Sequence, residues 1–349
     1  MDEINDKRAK FKGITFSKYK KSDVKQQLLK SIMYGKVEQT CYWAAEYICA
    51  GHYKDLWDAI LLLISKNIHI ANPKLPIYID MRFQHFKQIV QNGYIGNELS
   101  LRNNLKIRKL FAEICSVLCL SGKKNSLDTV KIQKEEFDIS NIPGKLHARS
   151  IVYAQSFFKK GDPTEIYIAL NEMAYNITIK NTIQVWYWIE WIIEFDKICS
   201  SKKKGFKIVR RAKIPVESKF QMETIWIVWD ALFYYAKKEI EKKILNSLLN
   251  LFCIHYSPNA KTKRKMLLYF AAYLLTENYN MAVPIISDKN TVEMVVGNIN
   301  STYKQIKKNE EAPSTDYLFN NSFTNSEKTV KDTINKIEKM NQIGLIRKL

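Results

Sequence analysis

The sequence predicts an all-α protein of two helical domains with a flexible C-terminal tail. Apolar residues recur at helical spacing along most of the chain, and the glycines fall where those periodic runs end. Ser22 is placed to cap a first helix whose Val24, Leu28 and Ile32 share one face, with Gly35 as its stop. A second runs from about Val37 to Ala50 before Gly51, and a third spans roughly Lys54 to Lys66. Pro76 suits the first turn of a fourth, which ends before Gly93, and a fifth covers about Leu101 to Leu120 before Gly122.

Between Lys123 and Gly144 the periodicity gives way to polar residues and Pro143-Gly144, which predicts an interdomain connection with room for a short strand pair. A helix is expected over about His147 to Lys160. Asp162-Pro163-Thr164-Glu165 then supplies an N-cap, a first-turn proline and a capping-box glutamate. Two aromatic-rich helices follow, Thr182 to Ser200 and Ser218 to about Tyr256, the first apolar nearly all round and so suited to the centre of a bundle. A helix at about Ala260 to Glu277 and a weaker segment after Pro284 complete the body. Residues 310 to 325 read as a linker and Glu327 to Met340 as a terminal amphipathic helix. The expected division is 1–122, a linker at 123–146, a bundle at 147–309 and a tail at 310–349.

A hydrophobic content of 46% over 349 residues supports packed cores. The strongest apolar runs, Ala59 to Ile64 and Thr224 to Ala236, are too short or carry Asp230, so no membrane span is expected. The first residues lack a signal-peptide core, and Cys41, Cys49, Cys115, Cys119, Cys199 and Cys253 show no disulfide framework, which together predict an intracellular protein with reduced thiols.

Catalytic patterns are missing from the sequence. No phosphate-cradling glycine motif occurs among the eleven glycines, and the five histidines lack metal-ligand spacing. Cys115 and Cys119 share a helix face, with Cys41 conceivable as a third thiol, but their apolar neighbours favour packing over zinc. Glu46, Glu190, Glu194 and Asp230 sit in apolar helices. Glu223, Trp226, Asp230, Tyr234 and Lys237 trace one stripe, and Tyr187, Glu190, Glu194 and Lys197 another, which reads as solvated or salt-bridged faces. No catalytic residue, metal ligand or cofactor is assigned.

The charge is more informative. Against 35 acids stand 55 basic residues, a net +20, which predicts attraction to a polyanion. Lys202, Lys203, Lys204, Lys207, Arg210, Arg211 and Lys213 crowd the connection between the aromatic helices without an acid among them. Lys261, Lys263, Arg264 and Lys265 crowd a helix start, where cations oppose the helix dipole and therefore suggest an external anion. These residues form the expected nucleic-acid surface, with DNA ahead of RNA. Lys18, Lys20, Lys21 and Lys25 make a third basic group.

Residues 34–73 resemble the helical collar of the RarA/MgsA clamp-loader-like ATPases through Tyr42, Trp43, Ala45, Gly51, Ser65, Ile68, Ala71 and Pro73. Lys66, Asn67 and His69 depart from the acidic pair and glycine of that pattern. The resemblance covers no ATPase module, and it implies an oligomerisation or docking scaffold in DNA replication or repair, with replication or transcription proteins as the expected protein partners. The stretch Ile68-His69-Ile70-Ala71-Asn72-Pro73-Lys74-Leu75-Pro76 also resembles a protein family of giant double-stranded DNA viruses, of mimivirus and phycodnavirus type. The expected function is therefore a non-catalytic, nucleic-acid-associated accessory factor in viral DNA replication or transcription. The alternative is a virion assembly protein whose basic surface meets packaged genome or an acidic partner.

Overall fold

Two glycines turn the first corners of the chain. Gly35 (φ +67°) and Gly51 (φ +73°) take the left-handed conformation that side chains disfavour, and so end α1 (Lys21–Met33) and α2 (Val37–Cys49). Ser22, the expected cap of α1, lies within the helix, and Lys20 at the cap position makes no side-chain cap. The computed structural model describes residues 3–137, 143–202 and 205–311. The expected terminal helix at Glu327 to Met340 lies outside them.

α3 (Tyr53–Leu63) runs into one turn of π-helix, Ile64–Ile68, where the Ser65 hydroxyl donates to the Leu61 carbonyl at 2.7 Å. α4 (Leu75–Gln91) carries Pro76 in its first turn as expected, and Asn104 caps α5 (Leu105–Leu120) by accepting from the Lys106 and Ile107 amides. The remaining helices are α6 (Tyr167–Thr178), α7 (Thr182–Ser201), α8 (Ile225–Tyr235), α9 (Glu239–Phe252), the short α10 (Ala260–Lys263), α11 (Lys265–Thr276) and α12 (Lys289–Lys307). Among the described residues there is no strand, only an isolated bridge between Ile14 and Lys20. The protein is all-α.

Three expectations fail for one physical reason, a carboxylate that captures backbone amides, from far along the chain in the first two cases and from within the next turn in the third. Residues 147–160 form turns instead of a helix. The buried Glu172 carboxylate accepts from the amides of His147 (3.0 Å) and Ala148 (2.9 Å), while Asn171 bonds Ser150 and Ala154. Asp162 caps nothing: it accepts from the amides of Lys159 and Val209 and pairs with Arg211, so helix begins only with a short 3₁₀ turn at Thr164–Ile166. The long helix expected over 218–256 divides between α8 and α9, where Glu241 accepts from the Lys237 and Lys238 amides. Trp226, expected on a solvated stripe, is fully buried against Phe252 and Tyr256.

The core is one continuous cluster that reaches from Ile4 to Ile306, and Met1–Glu310 forms one compact unit. The division expected at 123–146 therefore does not separate two cores. α4 packs on α9, and α11 packs on α7 and α9 and also on the π-turn after α3. Part of the expected linker is itself anchored to that turn, through Lys124 N–H to Asn67 O (2.8 Å) and Leu127 N–H to Lys66 O (2.9 Å). α12, read in the sequence only as a weak segment, returns to cover α5 and α2. Its Tyr303 is wholly buried, with the Arg108 guanidinium 4.2 Å from the ring centroid.

Because α12 closes the N-terminal helices through Tyr303, Tyr303→Ala should cost about 3–5 kcal/mol, as large aromatic truncations in cores do. Urea denaturation followed by far- and near-ultraviolet circular dichroism measures this, and the shared core predicts coincident transitions in the wild type.

Candidate nucleic-acid interface

The basic residues singled out in the sequence divide into inward and outward sets. Arg211 is buried: it bonds Asp162 and Asp230, each at 2.7 Å, and donates to the Val209 carbonyl. Lys261 reaches Asp196 at 2.5 Å and Glu223 at 3.3 Å. Arg264 pairs with Asp58 at 3.0 Å and donates to the carbonyls of Phe252 and Ile254. Lys265 meets Glu190, which is 2% exposed, at 2.8 Å. The cations at the α10–α11 start thus answer carboxylates of the fold, which corrects the expectation of an external anion for Lys261, Arg264 and Lys265, and likewise for Arg211. Burial of an ion is tolerated only with such pairing.

The pKa directions agree with that geometry. Burial pushes the Asp162 carboxyl up, but the Arg211 guanidinium and two backbone amides outweigh it and hold the group below its ordinary value. Burial pushes Lys261 down, and Asp196 with Glu223 more than offsets it, so the ammonium is held above its ordinary value.

Of the other expected residues, Arg210 is exposed but bonded to Gln221 (2.6 Å) and Ser218 (3.2 Å). Lys202, Lys207, Lys213 and Lys263 are exposed, and Lys203 and Lys204 lie outside the described residues. The structure sets Lys263 beside Lys25 and near Lys54 and Lys87, which the sequence did not mark, and Lys213 lies two residues before the groove-lining Pro215. Lys25 and Lys263 line one recess together with Asp55 and Asp58. Both acids of that recess are already paired, Asp55 with Lys21 and Asp58 with Arg264.

Beside Arg264 lies His255, whose imidazole is held below its ordinary pKa first by desolvation and then by Arg264, Lys54 and Lys87. Lys87 and His255 line an adjoining groove with Pro215, two residues beyond Lys213. Lys25, Lys54, Lys87, Lys213 and Lys263 are exposed along this band, and none makes an ion pair among the described residues. Such a row of free ammonium groups can follow a phosphate backbone. Lys54 and Lys87 escaped the sequence reading because each stands alone among neutral or acidic neighbours.

The carboxylates considered for acid–base work have structural partners. Glu46 accepts from the backbone and hydroxyl of Ser17, Glu190 from Tyr269 and Lys265, Glu194 from Lys197, and Asp230 from Arg211. Cys41 does join Cys115 through a thiol contact, and Cys119 bonds Thr40. None of the six cysteines is in a disulfide, and among the described residues no group of three or more His, Cys, Asp or Glu could hold a metal ion.

Lys261→Ala leaves Asp196 and Glu223 without a cation and should cost about 3–5 kcal/mol in urea denaturation, because an unpaired buried charge is left behind. Acid titration gives a second check. A carboxyl whose folded pKa is depressed contributes stability above its unfolded pKa, and that stability is lost as pH falls through the folded value. Wild-type stability should therefore fall below about pH 4, and Asp162→Asn should be less stable at neutral pH with a flatter acid limb. No protein-family model, curated protein or solved structure matches the chain, so its interface is read from its own geometry.

Proposed function

We propose that this protein is a non-catalytic nucleic-acid-binding accessory or scaffold factor, acting on DNA in viral replication or transcription. The carrying observation is the band of unpaired lysines from Lys25 to Lys213, set where the nearby acids are already neutralised by Lys21 and Arg264. Polyanion attraction is strongest where positive charge is clustered and uncompensated, and this band is such a place. The net +20 adds a long-range attraction that speeds encounter.

The use of the polar groups is consistent with the non-enzymatic reading. In the recess of about 740 Å³ beside His69, the imidazole faces the Asn125 carbonyl at 3.0 Å, and Lys123 is bonded to the carbonyls of Leu118 and Cys119. Neither residue is paired with a nucleophile. The collar-like segment fits a scaffold role, since its residues build packing surfaces for α11 and α12.

Fluorescence anisotropy with a labelled DNA oligonucleotide across a salt series tests the reading. Each phosphate contact contributes roughly 0.7–0.9 to the slope of log affinity against log salt, so Lys54→Gln/Lys87→Gln/Lys263→Gln should lower the slope by about 2–3. Salt-independent binding by the wild type, or an unchanged slope in the triple variant, would remove the band from the reading.

A further inference from the structure

The lysine band is interrupted by a groove of about 450 Å³ between α4, the end of α9 and the turn at Pro215. Its wall is apolar, with Phe83, Phe86, Val90 and Ile254, and Lys87 and His255 stand at it. The Cys253 thiol also lines it, and burial pushes that thiol up to about 12, so it adds no negative charge at neutral pH. An apolar groove within a cationic band matches the chemistry of an aromatic base carried on a phosphate backbone.

Two amides give the groove a hydrogen-bonding sense. The buried Asp80 carboxylate accepts from Gln84 Nε2 at 3.2 Å and from Asn250 Nδ2 at 2.8 Å. In each of these bonds the amide NH₂ donates and a carboxylate oxygen accepts, so both side chains are oriented with their amino groups toward Asp80. Their carbonyl oxygens are left as acceptors, and both residues line the groove. An acceptor pair selects a donor. Cytosine presents an exocyclic amino group, whereas thymine presents a carbonyl oxygen at the same position.

We infer that this groove binds one unpaired nucleobase bearing an exocyclic amino group, with Phe83 against its face and the Gln84 and Asn250 oxygens accepting from the amino group. The inference rests on the proposed function, because the lysine band is what would hold the strand's phosphates on either side. It also goes further: bases in a duplex keep their faces stacked, so a slot of this kind makes the surface one for single strands or for a base extruded from a duplex. Asp80 is a positioning residue, acting through the two amides.

The test compares oligo(dC), oligo(dT) and a mixed-sequence duplex of equal length by fluorescence titration of the full chain, in mildly alkaline buffer that keeps cytosine unprotonated. Oligo(dC) should bind about tenfold more tightly than oligo(dT), the discrimination expected of a satisfied against an unsatisfied pair of acceptors. Both single strands should bind more tightly than the duplex.

Asp80→Asn, which frees the amides to rotate, should bring the two homopolymers to near-equal affinity without weakening oligo(dT). Phe83→Leu should weaken both single strands by about tenfold while leaving the salt slope unchanged. Equal binding of oligo(dC) and oligo(dT) by the wild type, or preference for duplex, would overturn the groove assignment and leave the lysine band standing if the salt slope responds to its lysines. Loss of salt-dependent binding to every probe would overturn both.

Discussion

Lys261 stands between Asp196 of α7 and Glu223 ahead of α8, while Arg211 stands between Asp162 and Asp230. On these two junctions the arrangement of the C-terminal helices depends. In a medium of low dielectric a lone charge is costly, so each cation fixes where its carboxylates must be and each carboxylate where its cation must be. The connection around 205–216, which has no helix of its own, is held against α8 by Arg211 and by the Gln221 amide bonds to the Ala212 and Ile214 carbonyls. The start of α11 is held to α7 through Lys265 and Glu190, with Tyr269 of α11 donating to the same carboxylate at 2.7 Å.

The same pairing determines which part of the basic excess faces outward. Every acid drawn inward by Arg211, Lys261, Arg264 or Lys265 is removed from the outer electrostatic balance together with its cation. What this leaves outside is an excess of lysine over acid. A protein with the same composition but with these carboxylates on the surface would have its lysines neutralised by neighbours. The sequence places both kinds of cation in the same runs, Lys202 to Lys213 and Lys261 to Lys265, and only a partner on another helix separates them. That is why Arg211 and Lys207 look alike in the sequence and differ in the fold.

Legibility follows from distance along the chain. The ends of α2, α4 and α7 and the C-terminal end of α5 were readable because glycine, proline and apolar spacing act within a few residues, whereas the start of α5 lies at Leu105, four residues beyond the expected Leu101. The segment 147–160 was not, because the Glu172 acceptor that unwinds it lies about two dozen positions later and its effect requires α6 to be packed already. Trp226 was misplaced because a stripe drawn through Glu223 and Asp230 carries no information on what α9 brings to it. In the candidate interface, Lys213 and Lys263 were readable from charge runs, whereas Lys54 and Lys87 acquire meaning only when α3 and α4 meet the α9–α10 turn.

That meeting point also explains why the band should hold a fixed shape. Lys54 belongs to α3, Lys87 to α4 and Lys263 to α10, and these elements are joined by the packing of α4 on α9 and by the Arg264–Asp58 pair. Arg264 additionally bonds the carbonyls that end α9, so one guanidinium ties the turn carrying His255 to the helix carrying Lys54. Ammonium groups on separate flexible stems lose rotamer entropy when they bind phosphate, but their backbones here are already in register. The cost of assembling the surface is met by folding of the core beneath it, and contact with a strand needs only the side chains to order.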